Sequence, residues 1–268
     1  MGVAPEPLFD LTDQVAIVTG GGTGIGRATA LLFAEHGADV VLASRKRENL
    51  EQVAGEVADH GRRALVVPTD VRDPDACAAL VAATVDEFGR IDILVNNAGG
   101  SQSRALDDWD LAGWENSVDL NLRSVFLLSQ AVVPHMKAAG RGAIVNISSG
   151  AAENGLPFVM PYGAAKAGVE NLTHTYAAGL APWGIRVNCI GVGAIKSEGF
   201  IRSMKKIGMD PDHVGGQSNG FRRAGLPEEI AGPILFLVSD AASFLSGQTI
   251  WVGGPPVVPG FAAPGAKA

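Results

Sequence analysis

Two side chains that could move a proton stand four residues apart, at Tyr162 and Lys166. That spacing places both on one face of a predicted helix, 162–181. A phenol ordinarily titrates near ~10, and a neighbouring ammonium group favours the phenolate and lowers that pKa. Tyr162 could then give a proton to a carbonyl oxygen or take one from an alcohol.

Two further polar residues could complete a proton-transfer site. Ser149 ends a predicted strand thirteen residues before Tyr162. There its hydroxyl could polarise a substrate oxygen, and neighbouring Ser148 is the alternative. Asn121 stands inside a long predicted helix, 114–139, where an unpaired amide would be costly, so it must be hydrogen-bonded.

A glycine-rich segment, TGGGTGIG at 19–26, follows the first predicted strand and opens the helix 25–36. Glycine lets the backbone approach a pyrophosphate, and a helix N-terminus supplies N–H groups and a positive dipole. The spacing of Gly20, Gly24 and Gly26 differs from the usual G-x-G-x-x-G fingerprint. A tight turn without a ligand is the alternative, but ligands bind where the strand order of such a sheet reverses.

The residues after the second predicted strand indicate which cofactor the chain prefers. A carboxylate there would hold ribose hydroxyls and repel a 2′-phosphate, but this chain has Ser44, Arg45, Lys46 and Arg47. Arg45 could grip a phosphate through two hydrogen bonds. We therefore expect NADP(H) rather than NAD(H). A solvated basic turn at the start of a helix is the alternative.

Taken together, these segments resemble the short-chain dehydrogenase/reductase family. The resemblance implies a Rossmann-like sheet of seven strands, a nicotinamide cofactor, and oxidation or reduction at carbon–oxygen bonds. Ser44-Arg45-Lys46 and GVGAIKSEG at 191–199 are most similar to members that use NADPH on fatty acyl thioesters, the second resembling a dienoyl-CoA reductase segment. The full series, from Val15 to about Gly254, is TGGGTGIG at 19–26, Asp70-Val71, NNAG at 96–99, Asn121, Ser149 and Tyr162-x-x-x-Lys166.

The resemblance implies a role for each matched residue. Tyr162 is the acid/base, Lys166 also holds the nicotinamide ribose, and Ser149, at the family's spacing, polarises the substrate oxygen. Asn121 bends its helix and holds a water that relays protons to Lys166. Asp70 accepts a hydrogen bond from the adenine amino group, with a plain turn-forming role as the alternative. The expected cofactor contacts are Gly20, Thr23, Gly24, Ile25, Gly26, Ser44, Arg45, Lys46, Asp70, Val71, Asn97, Ala98, Gly99, Tyr162, Lys166, Gly193, Ile195 and Ser197.

Two segments depart from the family pattern. Val192-Gly193 replaces the usual Pro-Gly after the sixth strand, which weakens the assignment of Gly193 and Ile195 as cofactor contacts. Val252-Gly253-Gly254 replaces the usual Asp-Gly-Gly, which puts a local turn in doubt but not the chemistry.

Short β-branched segments alternate with longer helical patterns along the chain. This alternation predicts an α/β fold, a single doubly wound Rossmann-like domain over 1–268, with a seven-stranded mainly parallel sheet and helices on both faces. Residues 1–10 are expected to form a loose arm, and the tail from Gly253 to be extended. The predicted strands are 15–19, 39–43, 64–67, 91–96, 143–148, 186–190 and 249–252, and the predicted helices are 25–36, 48–59, 74–88, 114–139, 162–181 and 228–239.

A long insertion at about 194–225 is expected to form a lid over the substrate. It holds six basic and three acidic residues, whereas the whole chain carries −7. With its apolar residues, it suits a substrate with an apolar end and anionic groups, such as a coenzyme A or acyl-carrier-protein thioester. A charged surface helix is the alternative. Within it, GQSNG at 216–220 matches the G-x-S-x-G hydrolase pattern, but no strand precedes it, so we take the match as chance.

Composition excludes several other classes of protein. The 268 residues are 47% hydrophobic and 18% charged, as in a globular enzyme, and the acidic balance argues against a nucleic-acid binder. Two cysteines and five scattered histidines predict neither a disulfide scaffold nor a metal site. No run approaches the ~18 apolar residues of a membrane span, and we expect a cytoplasmic protein. The family resemblance also suggests a homo-tetramer, packed through the helices 114–139 and 162–181.

The expected reaction is hydride transfer between a nicotinamide cofactor, NADPH favoured, and a carbonyl or secondary alcohol, with a 3-oxoacyl thioester as the first substrate class to test. One rival is reduction of the conjugated carbon–carbon double bond of an enoyl- or dienoyl-CoA. Another is a nucleotide-sensing protein without turnover. The complete set of Ser149, Tyr162 and Lys166 favours the carbonyl reaction, because protonating an oxygen needs the tyrosine.

Overall fold

The structure is a computed structural model that describes residues 8–206 and 208–257. Most of the expected arm, 1–10, and most of the expected extended tail therefore lie outside the described residues. Over the described ranges, no helix combines the length and the apolar character that crossing a bilayer requires.

Within these residues, seven strands form one sheet in which every neighbouring pair is parallel. The order is β3-β2-β1-β4-β5-β6-β7, so it reverses between β1 and β4 and leaves a crevice at the carboxyl ends of those strands. The predicted doubly wound α/β fold is confirmed, with a sheet that is wholly rather than mainly parallel. The strands are β1 (Val15–Thr19), β2 (Asp39–Ser44), β3 (Ala64–Pro68), β4 (Ile93–Asn96), β5 (Gly142–Ser149), β6 (Ile185–Val192) and β7 (Thr249–Val252).

The central strands are almost continuously apolar because both faces of the sheet are covered. All five residues of β1 are buried, as are the first five of β2. A sheet with one wet face would alternate apolar and polar residues instead. The strand ends differ from the predicted ones by no more than two residues.

Helices cover both faces of the sheet, as expected. Three of them (α1, α2 and α9) enclose one core, which contains Phe33 and Ile234. Three others (α3, α5 and α6) enclose the second core, which contains Leu80, Leu128 and Leu180. Burying each such side chain contributes roughly 1.5–3 kcal/mol. The helices are α1 (Gly24–Glu35), α2 (Arg47–Asp59), α3 (Pro74–Phe88), α4 (Leu111–Val118), α5 (Ser124–Ala139), α6 (Met160–Leu180), α7 (Glu198–Lys206), α8 (Pro211–Ser218) and α9 (Pro227–Val238).

The single helix predicted over 114–139 is wrong. The helical segment begins three residues earlier, at Leu111, because Asp110 caps it by accepting a hydrogen bond from Gly113 N at 2.8 Å. It is then interrupted by a π-helical turn, Asp119–Arg123, that separates α4 from α5. A π turn adds a residue to one turn of the helix and shifts the hydrogen-bond register, which apolar periodicity does not reveal.

The expected long loop at 194–225 contains two helices, α7 and α8. Its two ends meet, because Lys196 N donates to Gly225 O at 2.8 Å and Gly225 N donates to Ala194 O at 2.9 Å. Ile195 and Gly225 thereby form a parallel bridge outside the main sheet. The segment therefore leaves the domain and returns to it at one point, and it is called the 194–225 segment below.

Candidate active site

The candidate proton-transfer residues meet where β5 ends and α6 begins. Ser149 is the last residue of β5, and Tyr162 and Lys166 lie one turn apart near the start of α6. Pro161 is tolerated beside Tyr162 because the first N–H groups of a helix have no partner within it. Lys166 Nζ lies 5.7 Å from the centroid of the Tyr162 ring.

Burial has the largest effect on the pKa of the Tyr162 phenol. It raises the pKa of Tyr162 above its usual range, and a hydrogen bond with the Ser149 side chain acts in the opposite direction. The expected net lowering of this pKa is therefore wrong for this structure. Burial outweighs the effect of the Lys166 ammonium, which donates to a backbone carbonyl and not to the phenol. Tyr162 is consequently protonated at neutral pH, which is the form that can donate a proton.

Lys166 is almost completely buried beneath the site. Its Nζ donates a 2.7 Å hydrogen bond to Ile147 O. Burial lowers the pKa of Lys166 to about 8, and the Cys189 thiol opposes that shift. Because an ammonium group has three N–H donors, two remain for a ligand.

Of the two neighbouring serines, only Ser149 contacts Tyr162. Its Oγ also accepts a hydrogen bond from Ala151 N at 3.3 Å. Ser148 is buried and donates instead to Glu170 Oε1 at 2.5 Å. Successive side chains of a strand alternate in direction, so one serine can face the site while the other ties β5 to α6. Sequence analysis did not identify Glu170, since nothing in its position predicts a bond to a strand 22 residues earlier.

Asn121 occupies the centre of the π-helical turn and is fully buried. Its Nδ2 donates to Ser117 O at 2.9 Å and to Gly100 O at 3.0 Å, and its Oδ1 accepts from Gly100 N at 2.9 Å. The amide is thus hydrogen-bonded, as the sequence required. A Cβ on Gly99 would lie 2.8 Å from Asn121 Oδ1 and 3.4 Å from Lys166 Nζ, so the glycine lets this loop approach both.

The glycine-rich turn brings the backbone close to the start of α1. Gly20 and Gly24 have φ of +66° and +53°, in the left-handed region that favours glycine. A Cβ on Gly26 would lie 2.2 Å from Gly20 O, so no other residue fits there. Thr23 precedes α1 without a side-chain capping bond, and half-buried Ile25 packs on the core. The first N–H groups of α1 therefore lack a side-chain cap, an arrangement that suits an anion.

Thr19 links this turn to the NNAG segment, a role that sequence analysis missed. Its Oγ1 accepts hydrogen bonds from Asn97 N at 3.0 Å and Ala98 N at 2.9 Å. Asn97 Nδ2 in turn donates to Thr19 O at 2.8 Å. A threonine at a strand end is an ordinary residue, and only the pairing of β1 with β4 shows that its partners lie 78 and 79 residues away.

The residues expected to choose the cofactor lie at the end of β2. Ser44 is the last residue of β2, and a Cβ on Gly22 would lie 3.4 Å from Ser44 Oγ. Arg45 and Lys46 follow it and are exposed. Arg45 is close enough to Asp70 to contribute to lowering the pKa of that carboxyl.

Asp70 is held by a neighbour that the sequence did not predict. Arg72 donates from Nε to Asp70 Oδ1 at 2.9 Å and from Nη2 to Asp70 Oδ2 at 2.5 Å, and its Nη1 donates to Asn116 Oδ1 at 2.7 Å. This pair lowers the pKa of Asp70 to about 2. Any bond from Asp70 to adenine must use the remaining lone pairs of the carboxylate. Val71 is buried in the core, so it can meet a ligand only through its backbone.

Among the residues after β6, Gly193 and Ile195 pack against other parts of the chain, whereas Ser197 lies at the glycine-rich turn. A Cβ on Gly193 would lie 2.7 Å from Gly253 Cα, so the two segments that depart from the family pattern are in contact. Ile195 has a buried side chain. Ser197 lies at the glycine-rich turn instead, because a Cβ on Gly24 would be 2.9 Å from Ser197 Cβ.

Two other chemistries find no support within the described residues. Ser218 of the GQSNG motif ends α8 and donates to Gly215 O at 2.8 Å, which is not the strand-to-helix turn of a hydrolase nucleophile. Over 8–206 and 208–257, no cluster of histidine, cysteine, aspartate or glutamate could hold a metal ion.

The residues at the crevice fit a dinucleotide. The glycine-rich turn lies at the carboxyl end of β1, where the strand order reverses, and its backbone would be blocked by a Cβ at Gly20, only 2.7 Å from Asn97 Nδ2. Lys166 lies beside Gly99 of the NNAG loop, and two of its three N–H donors remain for a ligand.

In sequence, the chain is similar to known dehydrogenases and reductases. The family profile described as short chain dehydrogenase matches residues 14–207. Cis-4-hydroxycyclohexanecarboxylate dehydrogenase of Sinomonas cyclohexanicum is 42% identical over 246 residues, covering 90% of this chain and 96% of that protein. A 3-oxoacyl-[acyl-carrier-protein] reductase of Thermotoga maritima is 36% identical over 251 residues, covering 92% and 99%.

Solved structures agree with these sequence relatives. A 7α-hydroxysteroid dehydrogenase complexed with NADH and 7-oxo glycochenodeoxycholic acid has a TM-score of 0.89 at 35% identity, covering 95% of this chain and 98% of that one. Levodione reductase has a TM-score of 0.85 at 33% identity, covering 91% and 97%. The chain belongs to the short-chain dehydrogenase/reductase family, whose members use a nicotinamide cofactor and act on alcohol and carbonyl groups.

Proposed function

We propose that this oxidoreductase transfers a hydride between NADP(H) and a carbonyl or secondary alcohol, with Tyr162 exchanging the proton at oxygen. The observation that carries the proposal is the convergence of Tyr162, Ser149 and Lys166 at the end of β5, beside the NNAG loop.

Each of these side chains has a distinct part in the proposed reaction. The bound nicotinamide supplies or accepts the hydride. Ser149 donates a hydrogen bond to the substrate oxygen, and Tyr162 gives that oxygen its proton or takes it back. Lys166 uses its two open donors for ribose hydroxyls, and its charge stabilises the phenolate left on Tyr162. Asn121 keeps the π turn and the loop at Gly100 in place beside Lys166.

The preference for NADP(H) rests on the end of β2. Arg45 and Lys46 are exposed there and no carboxylate takes the place of Ser44. We expect Arg45→Ala to raise the KM for NADPH by about tenfold and to leave that for NADH nearly unchanged. Arg47→Ala is the matched control, since Arg47 Nη1 already forms an ion pair with Glu51 Oε1 at 3.5 Å. Equal changes for both cofactors would contradict the preference.

The 194–225 segment supports a substrate with an anionic group, and we propose that it acts as a lid. Two of its cations are paired, Lys196 with Asp212 and Arg223 with Glu229. Within the described part of the chain, the other basic residues of the segment form no ion pair. A thioester carrying phosphates fits this charge, and a 3-oxoacyl reductase is among the relatives. The remaining cations are Arg202, Lys205, Lys206 and Arg222.

A ring-borne alcohol with a carboxylate is the second candidate substrate. It is favoured by the 42% identity to a dehydrogenase whose name specifies a hydroxycyclohexanecarboxylate. Such a substrate requires the same acid/base at Tyr162, and it also presents one anionic group to the 194–225 segment.

The direct test measures oxidation of NADPH and NADH with 3-oxoacyl thioesters, with 2-enoyl thioesters of matched length, and with ring ketones. We expect activity on a ketone that falls by at least about a hundredfold in Tyr162→Phe. Tyr176→Phe is the matched control, because Tyr176 accepts a hydrogen bond from Gln130 at 2.9 Å outside the site and is the only other tyrosine.

Other outcomes would select the rivals. Activity on the enoyl thioester alone would replace carbonyl reduction by double-bond reduction. Cofactor binding without turnover on any substrate would favour a nucleotide-sensing protein.

We also propose a homo-tetramer that packs through α5 and α6. Of the small residues on α6, Ala164 and Ala167 are exposed and available to another copy. Ala165 is buried and Gly168 contacts Leu122, so these two serve packing inside the chain. A monomeric mass by light scattering would contradict the proposal, and Ala164→Arg is expected to dissociate the tetramer.

A further inference from the structure

The 194–225 segment carries a carboxylate to the positive end of α1. A Cβ built on Gly24, the first residue of α1, would lie 3.3 Å from Glu198 Oε2. Ser197 lies beside the same glycine, and Glu198 is the first residue of α7. The start of α7 therefore rests on the turn at which the diphosphate of a dinucleotide would bind.

No residue of α1 itself supplies a negative charge at this point. The first turn of α1 contains no acidic residue, and Thr23 makes no side-chain capping bond. Over residues 8–206 and 208–257, the Glu198 side chain takes part in no ion pair and no hydrogen bond. Its carboxylate thus lies close to the start of α1, whose first N–H groups have no side-chain cap and where the helix dipole favours negative charge.

We propose that Glu198 sets the affinity for the cofactor, because its carboxylate and the cofactor diphosphate compete for the same helix end. This inference rests on the cofactor site proposed above. Like charges only a few ångströms apart disfavour each other, so the dinucleotide binds against Glu198 or displaces the start of α7. The competition involves the diphosphate on the 5′ oxygen of the adenosine ribose and not the 2′-phosphate, for which the proposed site is Arg45.

The experiment compares dissociation constants of the wild-type chain and Glu198→Gln for NADP⁺, NAD⁺ and adenosine 2′-monophosphate by calorimetry. Glu198→Gln should bind both dinucleotides about tenfold more tightly at low salt, with their ratio unchanged. The difference in dinucleotide affinity between Glu198→Gln and wild type should become smaller as ionic strength rises, because salt screens the repulsion. Adenosine 2′-monophosphate has no diphosphate, so its affinity should not change.

Glu228→Gln is the matched control. It removes the same charge at an exposed position in the first turn of α9, and it should leave all three affinities unchanged. Equal or weaker dinucleotide binding by Glu198→Gln would overturn the role of Glu198 and leave the cofactor site intact. A tenfold gain for adenosine 2′-monophosphate as well would also overturn it, since the effect would then be general. Failure of every variant to bind either dinucleotide would refute the proposed function together with this inference.

Discussion

Replacing Lys166 by methionine tests the electrostatics of the buried lysine. Methionine keeps much of the apolar stem and removes the charge. Burial lowers the pKa of Lys166 to about 8 from the ordinary 10.5. At about 1.36 kcal/mol for each pH unit, folding disfavours the charged lysine by about 3 kcal/mol. The variant also loses the hydrogen bond to Ile147 O, which costs roughly 1.5–3 kcal/mol.

The direction of the pH dependence follows from which state binds the proton. Below pH 8, Lys166 is protonated in both the folded and the unfolded wild-type chain, so folding buries the charge and the full destabilisation of about 3 kcal/mol applies. Between about pH 8 and 10.5, the unfolded chain binds more protons than the folded one, so the stability of the wild-type chain rises with pH relative to Lys166→Met. The two chains should be within about 2 kcal/mol of each other at pH 7, since the two effects offset. At pH 10, the free energy of unfolding of Lys166→Met should be lower, relative to wild type, by about 2–3 kcal/mol more than at pH 7, by the same linkage.

The assay is urea unfolding at several pH values from 7 to 10, at one protein concentration because association would shift the midpoint. Lys205→Met, at an exposed position on α7, is the control and should follow the wild-type curve. Parallel stability curves for wild-type and Lys166→Met would refute the argument, because they would show that the buried lysine titrates alike in both states.

Three further substitutions test separate parts of the site. Gly26→Ala should weaken cofactor binding by more than about tenfold, because the added Cβ would meet Gly20 O at 2.2 Å, and unchanged calorimetric affinity would contradict this. Asn121→Ala should lower the free energy of unfolding by roughly 2–4 kcal/mol, because it removes the three hydrogen bonds that the buried amide makes to the backbone of Gly100 and Ser117, and a loss below about 0.5 kcal/mol in urea unfolding would be inconsistent with that account. Arg72→Leu should raise the pKa of Asp70 from about 2 toward its ordinary value. The wild-type chain should therefore be more stable than the variant above about pH 4, and this difference should fade as the pH falls toward 2. A stability difference that does not depend on pH would contradict this account.

The sheet was predictable because its physical signal is local. Strands buried on both faces are runs of apolar β-branched residues, and such runs located all seven strands to within two residues. The order of the glycine-rich turn, Asn121, Ser149 and Tyr162-x-x-x-Lys166 placed the candidate site at the carboxyl end of that sheet. The family resemblance predicted a bend at Asn121, but not that a π turn at 119–123 would divide the helix, because a single extra residue leaves the apolar pattern of the flanking turns intact.

The parts of the site that sequence analysis missed depend on tertiary pairing. Thr19, Arg72 and Glu170 acquire their roles from partners that the fold brings close, such as Asn97, 78 residues from Thr19. The error in the pKa of Tyr162 has the same origin. The four-residue helical spacing predicts that an ammonium lies nearby, but not that the fold buries the phenol and directs the ammonium to Ile147 O.

Isotope transfer tests the central claim most directly. NADPH carrying deuterium at nicotinamide C4 would be incubated with a ketone substrate identified in the panel, and the product analysed by NMR. The proposed reaction places deuterium on the carbinol carbon with the wild-type chain and with Tyr176→Phe, and abolishes or greatly slows the transfer in Tyr162→Phe. Deuterium on a carbon of a reduced double bond, or undiminished transfer in Tyr162→Phe, would contradict carbonyl reduction with Tyr162 as the acid.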